Sequence, residues 1–220
     1  MSETMAESLR RADGARLSQS QYEEDFGANL WRVDGTDSWK LECRQSYSEA
    51  GFPSWEAFMA GDWDTALRLY ERERPGIAAF HEKFRRHRSC LYRVRVVAEP
   101  VTPYVQWELH CLKLRAECGE KIRVVSPSAI SPPAPAGELP ALISLCGRVL
   151  YRTLYDDRQL PDGALRYTDP GLIAGYEDFA RGLYEAGEDV ESYFRRAIAD
   201  LPPPPAQDRG RHQTGTGRGD

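Results

Sequence analysis

The stretch Leu91–Ser126, which reads LYRVRVVAEPVTPYVQWELHCLKLRAECGEKIRVVS, decides the fold. Apolar and polar residues alternate over Leu91–Val97, a pattern typical of a β-strand with one buried face and one partly wet face. Apolar side chains then recur at helical spacing over about Pro103–Cys118, and a second short β run covers Ile122–Val125. A right-handed β-α-β crossover places two such strands parallel in one sheet.

The sequence on either side adds strands and helices to this unit. Ser38–Arg44 alternates as a half-buried strand, and Gly147–Tyr155 with Leu165–Tyr167 predicts an antiparallel hairpin that turns at Leu160–Ala164, LPDGA. Helices are predicted over about 53–60, 62–74, 77–87, 170–186 and 188–199, with Pro75 and Gly76 separating two of them. The predicted fold is a single α/β or α+β domain with a mixed sheet built around the β-α-β unit and with N-terminal and C-terminal helices.

Composition divides the chain into a body and two ends. Residues 1–20 are polar and rich in Ala, Arg and Ser, so we expect a flexible N-terminal tail. Residues 21–201 carry the periodic apolar patterns of one globular domain. Residues 202–220 begin with four prolines and end in a Gly-rich segment, which predicts a disordered tail.

Charge and cysteine content limit the class of protein. The net charge is −5, which makes nucleic acid an unlikely partner because phosphate binding favours a basic excess. The five cysteines form no C-x-x-C pair and no zinc pattern, so we expect reduced thiols and neither metal nor cofactor. The N-terminus lacks a signal-peptide core, and no apolar run is as long as a membrane span. These features predict a cytoplasmic protein that does not bind a membrane.

The carboxyl end of the first strand in the unit is the candidate ligand edge, because open α/β sheets bind ligands there. Glu99, Tyr104, Glu108 and Arg123 could line one crevice at this edge. The alternative is structural: Glu99 caps the helix and Arg123 pairs with a carboxylate. The acidic pair Asp156 and Asp157 also belongs to the candidate ligand site, because it could coordinate a cation. The alternative is that the two residues lie in a solvated loop.

A cluster of basic residues is the weaker candidate, as a phosphate site. Arg85, Arg86 and Arg88 lie close together, and Arg93 and Arg95 continue the patch on the partly wet face of the strand. The alternative is a solvated helix face whose arginines form salt bridges with nearby glutamates.

One short motif suggests an enzyme. His81 and Lys83 form a His-x-Lys pair, as in phospholipase-D-like phosphodiesterases, but Arg88 stands where that motif has an aspartate. No G-x-S-x-G, H-E-x-x-H or Walker A pattern occurs in the sequence. We therefore predict no catalytic residue.

Four segments of the sequence are RVRVVAEPVTPYVQWEL, GEKIRVV, LYDD and DPGLIAGYEDF. They resemble an uncharacterised domain family of actinobacteria, especially streptomycetes, and the likeness covers roughly Trp39 to Phe194. The family pattern RVRVV-EP … GEDVRW … LFDD corresponds here to Glu99, Pro100, Tyr104, Glu108, Gly119, Glu120, Arg123, Asp156 and Asp157. The family ends its second strand in WLPR, where this chain has Val125-Ser126-Pro127-Ser128, so an Arg and a Trp of that edge are absent.

The resemblance implies a role by association. Members of the family often accompany helix-turn-helix regulators and small companion proteins, which implies a protein partner, such as a helix-turn-helix regulator. We therefore predict a cytoplasmic, non-enzymatic regulatory or accessory protein that binds a partner. The alternative is a degenerate phosphodiesterase-like domain that binds nucleotide or nucleic acid.

Overall fold

The computed structural model describes residues 4–32, 35–130, 141–156 and 160–206. These residues form a single α+β domain with an open, mixed sheet, which confirms the predicted fold class. The strands are β1 (Ala15–Leu17), β2 (Ser38–Glu42), β3 (Leu91–Val96), β4 (Lys121–Val125), β5 (Leu142–Leu145), β6 (Val149–Tyr155), β7 (Pro161–Tyr167) and β8 (Glu188–Asp189). The α-helices are α1 (Met5–Arg11), α2 (Gln19–Leu30), α3 (Pro53–Met59), α4 (Trp63–Glu71), α5 (Arg74–Arg86), α6 (Pro103–Glu117), α7 (Pro170–Ala186) and α8 (Val190–Ala197).

The predicted β-α-β unit lies in the middle of this sheet. The strand order is β1-β7-β6-β5-β2-β3-β4-β8, with β2, β3 and β4 parallel and the other neighbours antiparallel. Helix α6 connects β3 to β4 and begins where Thr102 Oγ1 accepts a hydrogen bond from the Val105 amide at 3.2 Å. Gly119 then turns the chain back with a φ of 115°, a conformation that favours glycine.

Helices cover both faces of the sheet. On one face, α6 lies over β3 and β4, with α3, α4 and α8 packed against it, while α2 and α5 cover β5 and β6. On the other face, α7 crosses the four strands β4, β3, β2 and β5, and α1 packs on α7. The Tyr176 hydroxyl of α7 is 3.1 Å from the carbonyl oxygens of Trp39 and Leu142, which lie on the adjacent strands β2 and β5. The central strands are therefore buried on both sides, which gives any charge on them few routes to water.

Three local predictions are wrong. Pro75 and Gly76 do not separate helices, because α5 begins at Arg74 and tolerates proline in its first turn. The last helix starts two residues later than predicted, because Glu188–Asp189 pairs with β4 as a strand. The LPDGA segment is not the hairpin turn, because β7 already begins at Pro161.

Gly163 explains the last of these corrections. Its φ of +88° lies in the region that favours glycine, and a Cβ there would lie only 2.1 Å from the Leu17 carbonyl oxygen. Glycine is therefore required at this position because β1 approaches so closely, and not because the chain makes a tight turn. The hairpin itself is confirmed, since β6 and β7 pair antiparallel.

The first and last described segments contact the body of the fold. Thr4 and Glu7 form a capping box at the start of α1, and Leu9 of that helix is only 3% exposed. After α8, the Pro202 carbonyl oxygen accepts a hydrogen bond from Gln106 Nε2 at 3.0 Å. The flexibility predicted for residues 1–20 and 202–220 stays a prediction. Residues 131–140 and 207–220 lie outside the described residues.

Candidate functional site at the carboxyl edge of the sheet

The carboxyl ends of four strands meet at one edge of the sheet. Strands β2, β3 and β4 are parallel, and β6 runs in the same direction because two antiparallel pairings separate it from β2. The chain segments that leave these strands at 43–52, 97–102, 126–130 and 156 therefore lie along this edge. Helix α6 also starts there, so its positive end faces the same region.

Gln45 stabilises this edge because it links the segments that follow β2 and β3. Its Nε2 donates hydrogen bonds to the carbonyl oxygens of Cys43 at 2.7 Å and Val96 at 2.8 Å. Its Oε1 accepts one from the Ala98 amide at 2.9 Å, and its own carbonyl oxygen accepts one from Thr102 Oγ1 at 2.7 Å. Through its side chain and its backbone carbonyl, this one residue fixes the start of α6 relative to both strands.

Next to Gln45 lies a group that we call the edge cluster: Arg44, Tyr47, Arg95, Tyr104, Glu108 and Tyr155. The Arg44 guanidinium lies 4.2 Å from the centre of the Tyr155 ring and 5.6 Å from that of Tyr47. The Tyr47 ring centre is 5.5 Å from that of Tyr155 and 5.7 Å from that of Tyr104. Arg44 and Tyr155 are half-buried, whereas Tyr47 is 7% exposed, so the cluster reaches from the surface into the core.

The most deeply buried part of the edge cluster is an ion pair between Arg95 of β3 and Glu108 of α6. Arg95 is 0% exposed and donates from Nε to Glu108 Oε2 at 2.7 Å. Its Nη1 donates to the Val96 carbonyl oxygen at 2.8 Å. Its Nη2 lies 2.6 Å from the same Glu108 oxygen, but at an angle that makes an ion pair without a hydrogen bond. Burial raises the pKa of Glu108, and the attraction of Arg95 offsets only part of that effect.

A second set of charges, the sheet network, lies on the same face beside the edge cluster. It consists of Lys40, Glu42, Arg93, Arg115 and Glu120. Arg93 donates from Nη1 to Glu42 Oε2 at 2.5 Å and from Nε to Glu120 Oε1 at 2.6 Å. Lys40 also pairs with Glu42 at 2.6 Å, and Arg115 with Glu120 at 2.5 Å.

The prediction that Arg93 and Arg95 face water is wrong. Arg93 is 6% exposed and Arg95 is fully buried, because α5 and α6 cover this face of the sheet. Burying ions is costly, and apolar residues of similar size often serve stability as well or better. So many buried charges, at the edge where open α/β sheets bind ligands, mark the region as a candidate functional site.

The sheet network makes stability depend on acid. Burial alone would raise the pKa values of Glu42 and Glu120, but Arg93 and the neighbouring cations outweigh it and lower both. Carboxyls with pKa values below the ordinary 4.5 bind fewer protons when folded, so their stabilisation is complete above that pH and is lost below it.

We therefore expect the free energy of unfolding, measured with urea at stepped pH, to fall steeply as the pH drops below about 4.5. The Glu120→Gln variant should show a shallower fall, because it removes one of the two carboxyls whose pKa is lowered. Glu108 cannot produce the same fall, because its pKa is raised and its effect on stability therefore has the opposite dependence on pH. The Glu82→Gln variant is the control. Hydrogen bonds from Arg85 and Arg86 also lower the pKa of Glu82, but this ion pair is exposed and screened by solvent, so the variant should stay close to the profile of the native chain. Equal slopes in the two variants would contradict the assignment.

The structure brings two of the four predicted crevice residues together. Tyr104 and Glu108 both belong to the edge cluster, and the Tyr104 hydroxyl donates to Glu49 Oε1 at 3.2 Å. Glu99 lies exposed in the segment after β3, with the charge of Arg196 near it. Arg123 lies on the opposite face of the sheet, where Nη1 donates to the Gly187 carbonyl oxygen at 2.9 Å. The sheet therefore separates Arg123 from Glu108.

The remaining predicted residues belong neither to the edge cluster nor to the sheet network. Asp156 is exposed at the carboxyl edge, where its Oδ1 accepts a hydrogen bond from the Leu160 amide at 2.8 Å, and Asp157 lies outside the described residues. On α5, Arg85 and Arg86 are exposed and each forms an ion pair with Glu82, at 2.6 Å and 3.1 Å. Arg88 is also exposed and precedes β3 with a φ of 55°.

Sequence reasoning missed the residues that shape the site. Arg44 and Tyr155 end two predicted strands, and Gln45 and Tyr47 follow the first of them, so their position at strand ends was the available signal. Glu42 gave no such signal, because its partner Arg93 is 51 residues away in sequence. Pairing over that distance is a property of the fold and not of a local pattern.

Two searches of the described residues concern other kinds of site. No group of three or more His, Cys, Asp or Glu side chains that could hold a metal ion occurs among them. None of their helices combines the length and the apolar character needed to cross a membrane.

Comparison with known proteins gives a family assignment. No curated protein matches the chain. A family model described as a domain of unknown function (DUF6879) matches residues 24–195, a range that runs from α2 to α8 and includes both the edge cluster and the sheet network. The chain therefore belongs to the DUF6879 family, a domain of unknown function.

Proposed function

We propose that this chain is a cytoplasmic, non-enzymatic regulatory or accessory protein that binds a protein partner at the carboxyl edge of its sheet. The main support for the proposal is the position of the half-buried Arg44. It lies over Tyr155 and Tyr47, at an edge whose backbone is held in place by the hydrogen bonds of Gln45. Arginine and tyrosine are the residue types that dominate binding energy at protein interfaces. A fixed backbone beneath them lowers the entropy cost of binding.

The carboxylates near this edge support a binding role rather than a catalytic one. Glu42 and Glu120 are held by the Arg93 guanidinium, and Glu108 is held by that of Arg95. A general acid or base has to exchange its proton with a substrate, and a buried ion pair opposes that exchange. The five free cysteines of the described structure fit a reducing compartment such as the cytoplasm.

Capture from a lysate of the source cell tests the proposed surface. The tagged native chain should retain a specific partner, and the Arg44→Glu variant should lose it because the reversed charge disrupts the contact with Tyr155. A helix-turn-helix regulator is the partner that we expect.

The matched control is Arg181→Glu. Arg181 also lies over an aromatic ring, 5.4 Å from that of Trp39, but it is on α7 on the opposite face of the sheet. Capture by the native chain and by Arg181→Glu, with loss in Arg44→Glu, supports the proposal. A partner retained equally by all three proteins places binding elsewhere, and the absence of any specific partner rejects the proposed role.

A further inference from the structure

Two buried donors of the edge cluster form no hydrogen bond with the described residues, although one of them, Arg95 Nη2, lies in an ion pair with Glu108. They are the Tyr47 hydroxyl and Nη2 of Arg95. Arg95 uses its Nε for Glu108 and its Nη1 for backbone carbonyls, so Nη2 is the end of the guanidinium left without a hydrogen bond. Native folds satisfy nearly all such buried groups, so each exception calls for an explanation.

The two donors belong to one connected group of side chains: the Tyr47 ring centre is 5.7 Å from that of Tyr104, and Tyr104 lies one turn of α6 before Glu108, the partner of Arg95. Burial raises the pKa of Tyr47 well above its ordinary value, and the charges of Arg95 and Glu108 are among those that modify it. Tyr47 in turn is among the groups that raise the pKa of Arg95. The hydroxyl therefore stays protonated, and it can donate a hydrogen bond in the same region as the guanidinium.

Charge around the donors favours an incoming anion. The edge cluster and sheet network, together with Glu49 at their rim, contain five cations and four carboxylates, an excess of one positive charge in a chain of net charge −5. The cations are Lys40, Arg44, Arg93, Arg95 and Arg115, and the carboxylates are Glu42, Glu49, Glu108 and Glu120. The start of α6 adds the positive end of a 15-residue helix.

We propose that the edge cluster binds a carboxylate group, which accepts hydrogen bonds from Tyr47 Oη and Arg95 Nη2 while Arg44 adds its charge at the rim. This inference rests on the proposed function and adds the chemistry of the bound group. A monoanion matches the single excess charge, whereas a phosphate dianion would leave a negative charge unbalanced beside Glu108. The carboxylate can belong to a small molecule or to an acidic side chain of the partner.

Thermal unfolding of the full chain with paired probes tests the proposal. Benzoate carries a carboxylate on a ring that can lie against the tyrosines, and benzamide is its neutral counterpart. A short Glu-rich peptide and its Gln-rich counterpart form the second pair. We expect benzoate, the Glu-rich peptide or both to raise the melting temperature saturably at constant ionic strength, and the neutral counterparts to have no such effect.

The Tyr47→Phe variant removes one donor and keeps the ring. It should bind the active probe about tenfold more weakly, since a hydrogen bond to a charged group is lost. Without probe it should be at least as stable as the native chain, because an unsatisfied buried hydroxyl has been removed.

The matched control is Tyr193→Phe. Tyr193 is 5% exposed and its hydroxyl also lacks a partner among the described residues, but its electrostatic neighbours are Glu99, Arg196 and Glu188 rather than the edge cluster. This variant should bind the probe like the native chain.

The outcomes separate the source of the carboxylate. A response to benzoate assigns a small molecule, and a response to the peptide alone assigns a partner side chain; both support the proposal. No saturable response to either probe, or equal weakening in the two Tyr→Phe variants, overturns it. Probe binding without any captured protein would reject the proposed partner and leave the carboxylate site standing.

Discussion

Replacing Glu120 by alanine is expected to lower the free energy of unfolding by about 3–5 kcal/mol, the usual cost of breaking a buried ion pair. Glu120 is 2% exposed and accepts hydrogen bonds from both Arg93 and Arg115. Its removal takes one of two carboxylate partners from the buried Arg93 and also the carboxylate partner of Arg115, whose side chain is 25% exposed. His81, whose Nε2 is 3.4 Å from Glu120, cannot replace a carboxylate.

Urea denaturation followed by tryptophan fluorescence measures this loss. The matched control is Glu117→Ala, which removes an exposed carboxylate that also bridges two cations, Arg74 and Lys113. Surface pairs of this kind contribute about 0–1 kcal/mol, so we expect a loss in that range. Losses of similar size in both variants would show that the sheet network is not the buried, mutually dependent unit described above.

The second large effect concerns the pair between Arg95 and Glu108. Glu108→Leu alone should destabilise the fold by about 3–5 kcal/mol, because it leaves the fully buried Arg95 without its carboxylate. The double variant Arg95→Met/Glu108→Leu should recover most of that loss, since replacing a whole buried pair with apolar residues is often neutral or stabilising by about 1–4 kcal/mol.

A double-mutant cycle in urea measures this recovery, and benzoate binding gives the second readout. The double variant should fold and yet fail to respond to the probe, because the Nη2 donor is absent. If it folds and still responds to the probe, Arg95 is not part of the binding site. If it is as unstable as the single variant, the pair is retained for stability rather than for binding.

The central architecture could be predicted because its signals are local. Alternation over β3, helical spacing over α6 and the break at Gly119 lie within a single stretch, and the fold that follows from them is right-handed by a general rule. The start of α7 was also predictable, since Asp169 caps it and Pro170 occupies its first turn. Each of these features depends on neighbours a few residues apart.

The site was only partly predictable because its defining contacts are distant in sequence. The carboxyl edge followed from the β-α-β unit, but the face on which each side chain lies depends on the pairing of the strands. Arg123 pairs in register with Val94, whereas Glu108 packs against the face that carries Arg95. The short strand β8 was missed for a related reason: two residues that pair with β4 carry no periodic pattern.

Burial of the arginines could not be read from alternation alone. Arg93 and Arg95 occupy every second position, the pattern of a strand with one wet face. Their burial follows from helices whose carboxylates neutralise them, 13 residues away for Glu108 and 27 for Glu120. An alternating strand predicts which residues share a face, but not whether another element covers that face.

The most direct test of the central claim is hydrogen–deuterium exchange of the full chain with and without the partner captured from the lysate. The claim is that the carboxyl edge is the binding surface. The account predicts slower exchange in residues 43–52 and 97–104, with no change along α7 on the opposite face. Protection confined to α7 or to the exposed face of α5, with the carboxyl edge unchanged, would contradict it.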